Sequence, residues 1–246
     1  MKKLFVGIVA IAMYGAPAFA AELPLKADPL FNWTGWYLGI NTGYSWGRSR
    51  VTINNTAVDF NQSVQHRGWL VSGEGGYCWQ TQSAAVTCVE LRYDFPKERS
   101  RRVTIDIPPG TTTDNQTEID PFLIGPHFGF LTDRNRTMWY LAGGLAVGQV
   151  GGNSIAVGPG GPGTADAGNK WKAGGFIGIG VERMVDQHWS WKVEYDYVRF
   201  ASGKGATAPY NNPNIRDLPP GSTASFGGNA YDNIITVGLN YHFGSR

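Results

Sequence analysis

The sequence has few charged residues, no apolar run long enough to span a bilayer as a helix, and no compact helical domain. Charged residues make up only 16% of the 246 residues, whereas there are 34 glycines and 13% aromatic residues. The apolar run at 4–14 falls short of the roughly 20 residues that a transmembrane helix needs. This composition favours a single all-β domain built from membrane strands over a soluble fold.

The sequence also lacks an excess of positive charge once an N-terminal signal peptide is removed. Lys2 and Lys3 precede the apolar run, and a small-residue motif that suits signal peptidase ends at Ala20. We predict a signal peptide at 1–20 and an extended periplasmic leader at 21–32. Loss of the two lysines makes the basic residues equal in number to the 19 acidic ones, which excludes a global nucleic-acid footprint.

The stretch WTGWYLGINTGYSW at 33–46 has the period of a β-strand. Its even positions are mostly apolar, with aromatic side chains at both ends, whereas the odd positions from Gly39 onward are small or polar. Amphipathic rings settle at the two headgroup levels of a bilayer, so this strand is predicted to face hydrocarbon. A lone strand would leave backbone groups unpaired in lipid, which requires a closed sheet.

Seven further stretches alternate in the same way. They are 69–79, 85–95, 119–131, 137–149, 171–183, 189–197 and 231–243. With the first stretch they predict an all-β fold, an eight-stranded antiparallel up-and-down transmembrane β-barrel over 33–246. Pro126 lies within 119–131 and removes a backbone donor, which predicts a bulge or distortion there.

Short and long connections alternate between these stretches. The short connections, at 80–83, 132–136 and 185–188, are predicted to be periplasmic turns. The long connections, at 47–67, 96–118, 150–170 and 200–230, are rich in Gly, Pro, Asn and Thr and are predicted to be mobile external loops.

Four motifs carry a family resemblance: FNWTGWYLGINTGYSWG, YLAGGLAVG, GIGVERMVDQHWSWKVEYDYV and NIITVGLNYHF. The sequence resembles the small outer-membrane surface antigens of alpha-proteobacteria, called outer-membrane immunogenic or porin-family proteins, among the OmpA-like eight-stranded barrels. The resemblance implies an outer-membrane location and a role in envelope integrity and surface exposure, with haemin binding in some relatives and no catalytic residues. It also implies that Tyr241 and Phe243 form a terminal signal for the barrel-assembly machinery.

Charged residues of both signs share the parity of the inward faces. They are Glu74, Glu90, Arg92, Asp94, Lys172, Glu182, Lys192, Glu194 and Asp196. One hypothesis is an ion path through the barrel. The alternative, which we favour, is a paired charge network that plugs the lumen, because the interior of an eight-stranded barrel is nearly filled by its own side chains.

The four histidines do not form a recognisable active site. His66, His127, His188 and His242 are scattered, and no Ser or Cys nucleophile stands at a suggestive spacing from a His and a carboxylate. We therefore expect no enzymatic activity, no cofactor and no metal. His66 lies in a predicted external loop, which makes it a candidate haem ligand, although an ordinary polar loop residue is the simpler interpretation.

Two further sites are predicted near the ends of strands. Cys78 and Cys88 flank the first short turn on inward faces, so they can form a disulfide in the oxidising periplasm. A basic cluster just past the outer end of 85–95 lies where lipopolysaccharide phosphates could bind, although a merely solvated loop fits equally well. Its members are Lys97, Arg99, Arg101 and Arg102.

Two classes of function fit these features. The first is a monomeric structural barrel in the outer membrane whose exposed surface contacts lipid, lipopolysaccharide and partners. The second is a small passive diffusion channel or a haemin- or ligand-binding barrel. The inward charges favour the first.

Overall fold

The computed structural model describes residues 31–244 apart from 55–58, 82–83, 97–102, 108–110, 159–160, 169, 203–205 and 212–219. The predicted signal peptide and most of the leader lie outside the described residues. No helix long and apolar enough to cross a membrane occurs in the described part of the chain. The strands are β1 (Gly35–Asn54), β2 (Asp59–Gln80), β3 (Ala85–Pro96), β4 (Val103–Ile107), β5 (Thr111–Thr132), β6 (Thr137–Gly158), β7 (Gly161–Asp166), β8 (Lys170–Met184), β9 (Trp189–Phe200), β10 (Ala206–Pro209) and β11 (Thr223–His242).

Eight of these strands form one closed antiparallel ring in the order β1, β2, β3, β5, β6, β8, β9 and β11, and β11 pairs back onto β1. The ring confirms the predicted eight-stranded barrel. The three remaining strands, β4, β7 and β10, are short and pair with the ends of β5, β6 and β11. Closure leaves each spanning strand with a partner on both sides, which satisfies backbone groups that lipid could not.

The alternation within the membrane strands places apolar side chains outside. In β1, Trp36, Leu38 and Ile40 are 64%, 59% and 69% exposed, whereas Tyr37 and Asn41 on the opposite face are 3% exposed. The same pattern continues around the ring, where Trp69, Leu141, Leu145 and Ile177 also face outward. An apolar wall with aromatic ends is suited to the hydrocarbon of a bilayer.

The strands are much longer than predicted. β2, β5 and β6 each have 22 residues, and β1 and β11 each have 20, whereas a membrane strand needs about 9–11. The prediction of mobile external loops is therefore wrong for large parts of 47–67, 96–118, 150–170 and 200–230. These strands continue past the apolar wall because alternation persists there with its polarity reversed. In β1, Val51 and Ile53 point inward, whereas Arg50 and Thr52 point outward.

Pro126 causes no bulge, but it lies at a local interruption of strand pairing, which is the distortion that the prediction allowed. Val89 pairs with Pro126, and the register of β3 against β5 is unchanged on either side. Against β6, pairing stops after Ile124 and resumes at His127 in the same register. The close approach of Gly125 to Gly143 allows this, because an added Cβ on Gly125 would lie 2.1 Å from the Gly143 carbonyl oxygen.

The three short turns between ring strands lie at one end of the barrel, as predicted. The turn between β5 and β6 places Asp133, Arg134 and Asn135 at φ values of 50°, 53° and 66°. Asp and Asn tolerate this left-handed conformation better than most residues. We call this end, which also holds both ends of the described chain, the turn end, and the opposite end the far end.

Among the described residues, three apolar layers occupy the interior at different heights. The basal layer, near the turn end, contains Trp33, Tyr37, Leu131, Met138 and Met184. A middle apolar layer contains Leu70, Leu123, Val198, Phe200 and Ile234. A far apolar layer contains Val51, Ile53, Val64, Ala224 and Phe226. The ion pairs formed by Arg92 and Lys192 lie between the basal and the middle layer.

Candidate functional site

The centre of the barrel holds a buried cluster of ion pairs around Arg92 on β3. Its Nη1 lies 2.6 Å from Glu194 Oε1, its Nη2 lies 2.7 Å from Asp196 Oδ2, and its Nε lies 3.1 Å from Asp94 Oδ1. The guanidinium group is 2% exposed. Since β3 and β9 lie on opposite sides of the ring, Arg92 crosses the lumen.

Lys192 on β9 crosses the lumen in the opposite direction. Its Nζ lies 2.6 Å from Glu74 Oε2, and 3.3 Å from both Glu90 Oε2 and Glu194 Oε2. Glu194 therefore contacts both cations and joins them into one cluster. Strand parity brings these residues together, because each faces inward at nearly the same height. We call this set, Glu74, Glu90, Arg92, Asp94, Lys192, Glu194 and Asp196, the ion cluster.

Neutral side chains add hydrogen bonds to the ion cluster. The hydroxyl of Tyr37 donates to Glu90 Oε2 at 2.7 Å, and that of Tyr140 donates to Glu194 Oε2 at 2.5 Å. Ser72 donates to Asp94 at 2.6 Å. The amide of Asn41 donates to Glu74 at 2.5 Å. Buried charges are tolerated when they are paired and hydrogen-bonded in this way.

These neutral partners were not predicted from the sequence as members of a site. Their inward parity in the predicted strands was the signal that could have identified them as lumen residues. They are Tyr37, Asn41, Ser72 and Tyr140. Tyr37 and Tyr140 face inward, since each phenol reaches a carboxylate.

Glu182 lies nearer to the turn end and has its own partners. Ser190 donates a short hydrogen bond to Glu182, the amide of Asn240 donates to its Oε1 at 2.9 Å, and His242 Nε2 lies 3.1 Å from the same oxygen.

Lys172 lies outside the ion cluster. Half-buried in β8, it donates to the carbonyl oxygen of Gly227 at 2.8 Å, so the predicted assignment of Lys172 to a lumen carboxylate is not supported by this contact.

One group of possible metal ligands occurs among the described residues. Glu90, His127 and Glu194 each place a ligand atom within 4.8 Å of the others. Lys192 Nζ lies 3.3 Å from both carboxylates, so an ammonium group already occupies this position. His127 stacks on Tyr140 with ring centroids 4.9 Å apart.

His66 is not an exposed loop residue, contrary to the prediction. It lies within β2, is 2% exposed and points into the lumen, with Nε2 3.6 Å from Asp232 Oδ1. The extension of β2 beyond the apolar wall explains the error. A buried His66 is not available to an external haem, and the structure removes that hypothesis.

Cys78 and Cys88 form a disulfide in the structure, with their Cα atoms 4.0 Å apart. The two residues are directly paired in the β2–β3 ladder and belong to the basal layer. Lys97, Arg99, Arg101 and Arg102 lie outside the described residues, so the predicted phosphate contact there stays a prediction.

The two residues of the predicted assembly signal lie on the outside at the turn end. Phe243 is 58% exposed, and its ring packs against Tyr241 with centroids 5.0 Å apart. The backbone N–H of Phe243 donates to the carbonyl oxygen of Trp36 at 2.8 Å. The last aromatic residue is therefore held at the seam where β11 closes onto β1.

Two comparisons relate the sequence to known proteins. The family model described as outer membrane protein beta-barrel domain matches residues 6–243. The 31 kDa outer-membrane immunogenic protein of Brucella melitensis biotype 1 is 29% identical over 99% of this chain and 100% of that protein. The 25 kDa outer-membrane immunogenic protein of Brucella canis is 23% identical over 82% of this chain and 86% of that protein.

A solved structure shares the fold. The outer membrane protein OprG from Pseudomonas aeruginosa superposes with a TM-score of 0.55 at 11% identity, covering 87% of this chain and 100% of that chain. At this identity the likeness concerns the barrel alone.

Proposed function

The chain belongs to the outer-membrane β-barrel family and lies in the outer membrane, and we propose that it acts there as a closed structural barrel. Its work is done by the outer wall and the far end, which contact lipid, lipopolysaccharide and partners. The turn end faces the periplasm in this proposal, in keeping with the short periplasmic turns and longer outer segments of such barrels.

One observation carries the proposal: the lumen is obstructed by the ion cluster. Arg92 and Lys192 are 2% and 1% exposed, and each reaches across the interior to carboxylates on other strands. The basal layer lies below the cluster, and the middle and far apolar layers lie above it. A conducting path would have to pass charged pairs and three apolar layers, whereas freely conducting porins have about 16–18 strands.

Support for a non-enzymatic role comes from the use of the titratable side chains. Those that converge in the lumen are engaged with one another through ion pairs and hydrogen bonds. The relatives are named as outer-membrane immunogenic proteins, which fits exposure at the cell surface. We further propose that the barrel is a monomer and that Tyr241 and Phe243 contact the assembly machinery during insertion.

A small diffusion channel is the second candidate, and unpaired polar atoms in the lumen favour it. Asn41 Oδ1, Ser45 Oγ and Thr236 Oγ1 are buried and make no hydrogen bond within the described residues. Such groups normally bind water. A hydrated section between the ion cluster and the middle apolar layer would shorten the barrier that an ion has to cross.

Planar-bilayer recording distinguishes the two candidates. Purified, heat-modifiable protein should show at most rare and small openings at neutral pH, because the ion cluster and the apolar layers exclude a continuous water column. The variant Lys192→Ala should open more often, since it leaves three carboxylates without their ammonium partner. Large and steady conductance from the unmodified protein would favour the channel and overturn the closed barrel.

A further inference from the structure

Four arginines lie on the outer wall where its apolar surface ends. They are Arg48 and Arg50 on β1, Arg67 on β2 and Arg199 on β9. Each has the outward parity of its strand, and each is exposed. We call these residues the arginine row.

The strand register places the arginine row directly above an aromatic belt. Tyr195, Ile235, Tyr44 and Trp69 form one outward row across β9, β11, β1 and β2. The next row toward the far end contains Tyr197, Asn233, Trp46 and Arg67. The row after that contains Arg199, Tyr231, Arg48 and Gln65. The wall thus changes from apolar through aromatic to cationic over two steps along each strand.

We infer that the arginine row, together with Tyr231 and Trp46, binds the phosphate groups of an anionic glycolipid in the outer leaflet. The inference rests on the proposed orientation, in which the far end faces outward. The lipopolysaccharide contact proposed for the outer surface is thereby assigned to particular residues. This contact does not require the basic cluster at 97–102.

The guanidinium groups are close enough to share one headgroup. Neighbouring strands lie about 4.8 Å apart, so Arg199 and Arg48, two strands apart in one row, can both reach a phosphate between them. Arg67 is the diagonal neighbour of Arg48, at a Cβ separation of about 7–8 Å. Paired arginines bind phosphate oxygens through bidentate, charge-assisted hydrogen bonds.

Two adjoining grooves on the wall match this arrangement. One, of about 460 Å³, is lined by Trp46, Arg48, Arg67 and Tyr231 among others. The second, of about 370 Å³, is lined by Arg48, Arg50, Arg199 and Tyr231 among others. Arg48 and Tyr231 belong to both grooves, so a ligand with two phosphates can occupy both while keeping these two contacts.

The arginines are not used elsewhere in the fold. In the described part of the chain, no ion pair or side-chain hydrogen bond involves any of their four guanidinium groups. Arg183 near the turn end differs, since its Nη2 lies 2.8 Å from Asp133 Oδ2. The backbone is also irregular here, because the β1–β11 register shifts on both sides of Arg50. Such bulges re-aim side chains and are frequent beside functional sites.

The wall below the arginine row identifies the ligand as a lipid rather than a soluble anion. Toward the turn end lie Ile40, Val71, Val237 and Leu239, between 50% and 69% exposed. An acyl chain attached to a bound phosphorylated headgroup would lie along this surface in the bilayer, with Tyr and Trp rings at the headgroup level. Free phosphate would gain nothing from it.

Binding of purified lipopolysaccharide to the detergent-solubilised barrel tests the inference. The variant Arg48→Gln, Arg67→Gln, Arg199→Gln should bind at least about 100-fold more weakly than the unmodified protein, because each substitution removes charge-assisted hydrogen bonds. The matched control, Arg134→Gln in an exposed turn at the opposite end, should bind normally. Both variants must show the heat-dependent gel shift of a folded barrel.

Two further ligands define the recognised chemistry. Lipopolysaccharide stripped of its phosphates should bind the unmodified protein about as weakly as intact lipopolysaccharide binds the triple variant, and inorganic phosphate should compete poorly. Equal binding of the triple variant and the unmodified protein would place the contact elsewhere and overturn the arginine site alone. No binding by the unmodified protein would overturn the proposed lipopolysaccharide contact as well, while leaving the closed barrel to the conductance measurement. Strong competition by inorganic phosphate would identify a soluble anion and overturn the lipid assignment.

Discussion

The two halves of the barrel have opposite polarity although they share the same strands. In the half near the turn end, β1 places Leu38 and Ile40 outside and Asn41 inside. In the half near the far end, the same strand places Arg50 outside and Val51 and Ile53 inside. The alternation of inward and outward side chains is unbroken along the strand, and only the polarity of each face changes. The reversal occurs between Trp46 and Arg48.

This difference indicates where the solvent around the barrel changes. Side chains outside the first half face hydrocarbon, so polar groups are directed inward, where they must pair with each other. The second half has the apolar interior and polar exterior of a protein in water. Because strand pairing continues across the boundary, one sheet can lie partly in the hydrocarbon of the bilayer and partly in water. The arginine row marks the outer edge of the membrane on this interpretation.

Removal of a cation from the ion cluster should destabilise the barrel more than any other change considered. The reason is that the interior of this half is charged. Arg92→Ala leaves Glu194, Asp94 and Asp196 without their guanidinium partner. We expect the free energy of unfolding to fall by about 3–5 kcal/mol, the cost of breaking a buried ion pair from one side. Urea unfolding in lipid vesicles, followed by tryptophan fluorescence, measures this.

Arg183→Ala is the control for a lost arginine. Its pair with Asp133 is exposed, with side chains 40% and 52% accessible, so its removal should cost no more than about 1 kcal/mol. Equal losses in the two variants would show that the interior near Arg92 is not a distinct charged environment, and the contrast between the halves would then lose its main support.

The sequence predicted the membrane half well because each strand there alternates with a period of two between side chains that face lipid and side chains that face the lumen. Glu90, Arg92 and Asp94 alternate with Val89, Leu91 and Tyr93, and this pattern is sufficient to locate the strand and its inward face. The ring closure follows from eight such segments. The pairing of Arg92 with particular carboxylates does not follow, since it depends on which strands face each other across the lumen.

The far half was not predicted because membrane strands are recognised by apolar residues at the outward positions. The run RSRVTIN at 48–54 alternates as regularly as the membrane segments, but with the polarity of a soluble strand. Its Gly-, Asn- and Thr-rich neighbours therefore resembled loops. The same error placed His66 outside. Period-two alternation, with the polarity allowed to reverse, extends β1 and β2 past Trp46 and Trp69 toward the far end.

The cost of placing a charge on the outer wall should differ between the two halves and so locate the boundary between them. Ile40→Arg puts a guanidinium against hydrocarbon and should destabilise the barrel by about 2–4 kcal/mol, whereas Val157→Arg in the far half should cost about 0–1 kcal/mol. Both original side chains face outward, at 69% and 54% exposure. Refolding yields and urea unfolding in vesicles give both values. If Val157→Arg were as costly as Ile40→Arg, the bilayer would cover the far half too.

The smallest expected effect concerns a phenol in the interior of the far half. Tyr210 is 9% exposed and packs in the far apolar layer, where its hydroxyl lies 2.7 Å from Ser154 Oγ. Burial raises the pKa of Tyr210 to about 12, although the hydrogen bond with Ser154 acts in the opposite direction. Tyr210→Phe removes this hydrogen bond and should lower the free energy of unfolding by about 1 kcal/mol at neutral pH.

The pH dependence gives a sharper test of whether the far half has the interior of a soluble protein. The folded barrel favours the neutral phenol, so this contribution to stability is complete below the ordinary tyrosine pKa of about 10 and is lost as the pH rises through about 12. The difference in phenolate absorbance between the unmodified protein and Tyr210→Phe should therefore develop near pH 12. A difference that develops near pH 10 would show that water reaches Tyr210, and the far half would then not be closed by its apolar layer.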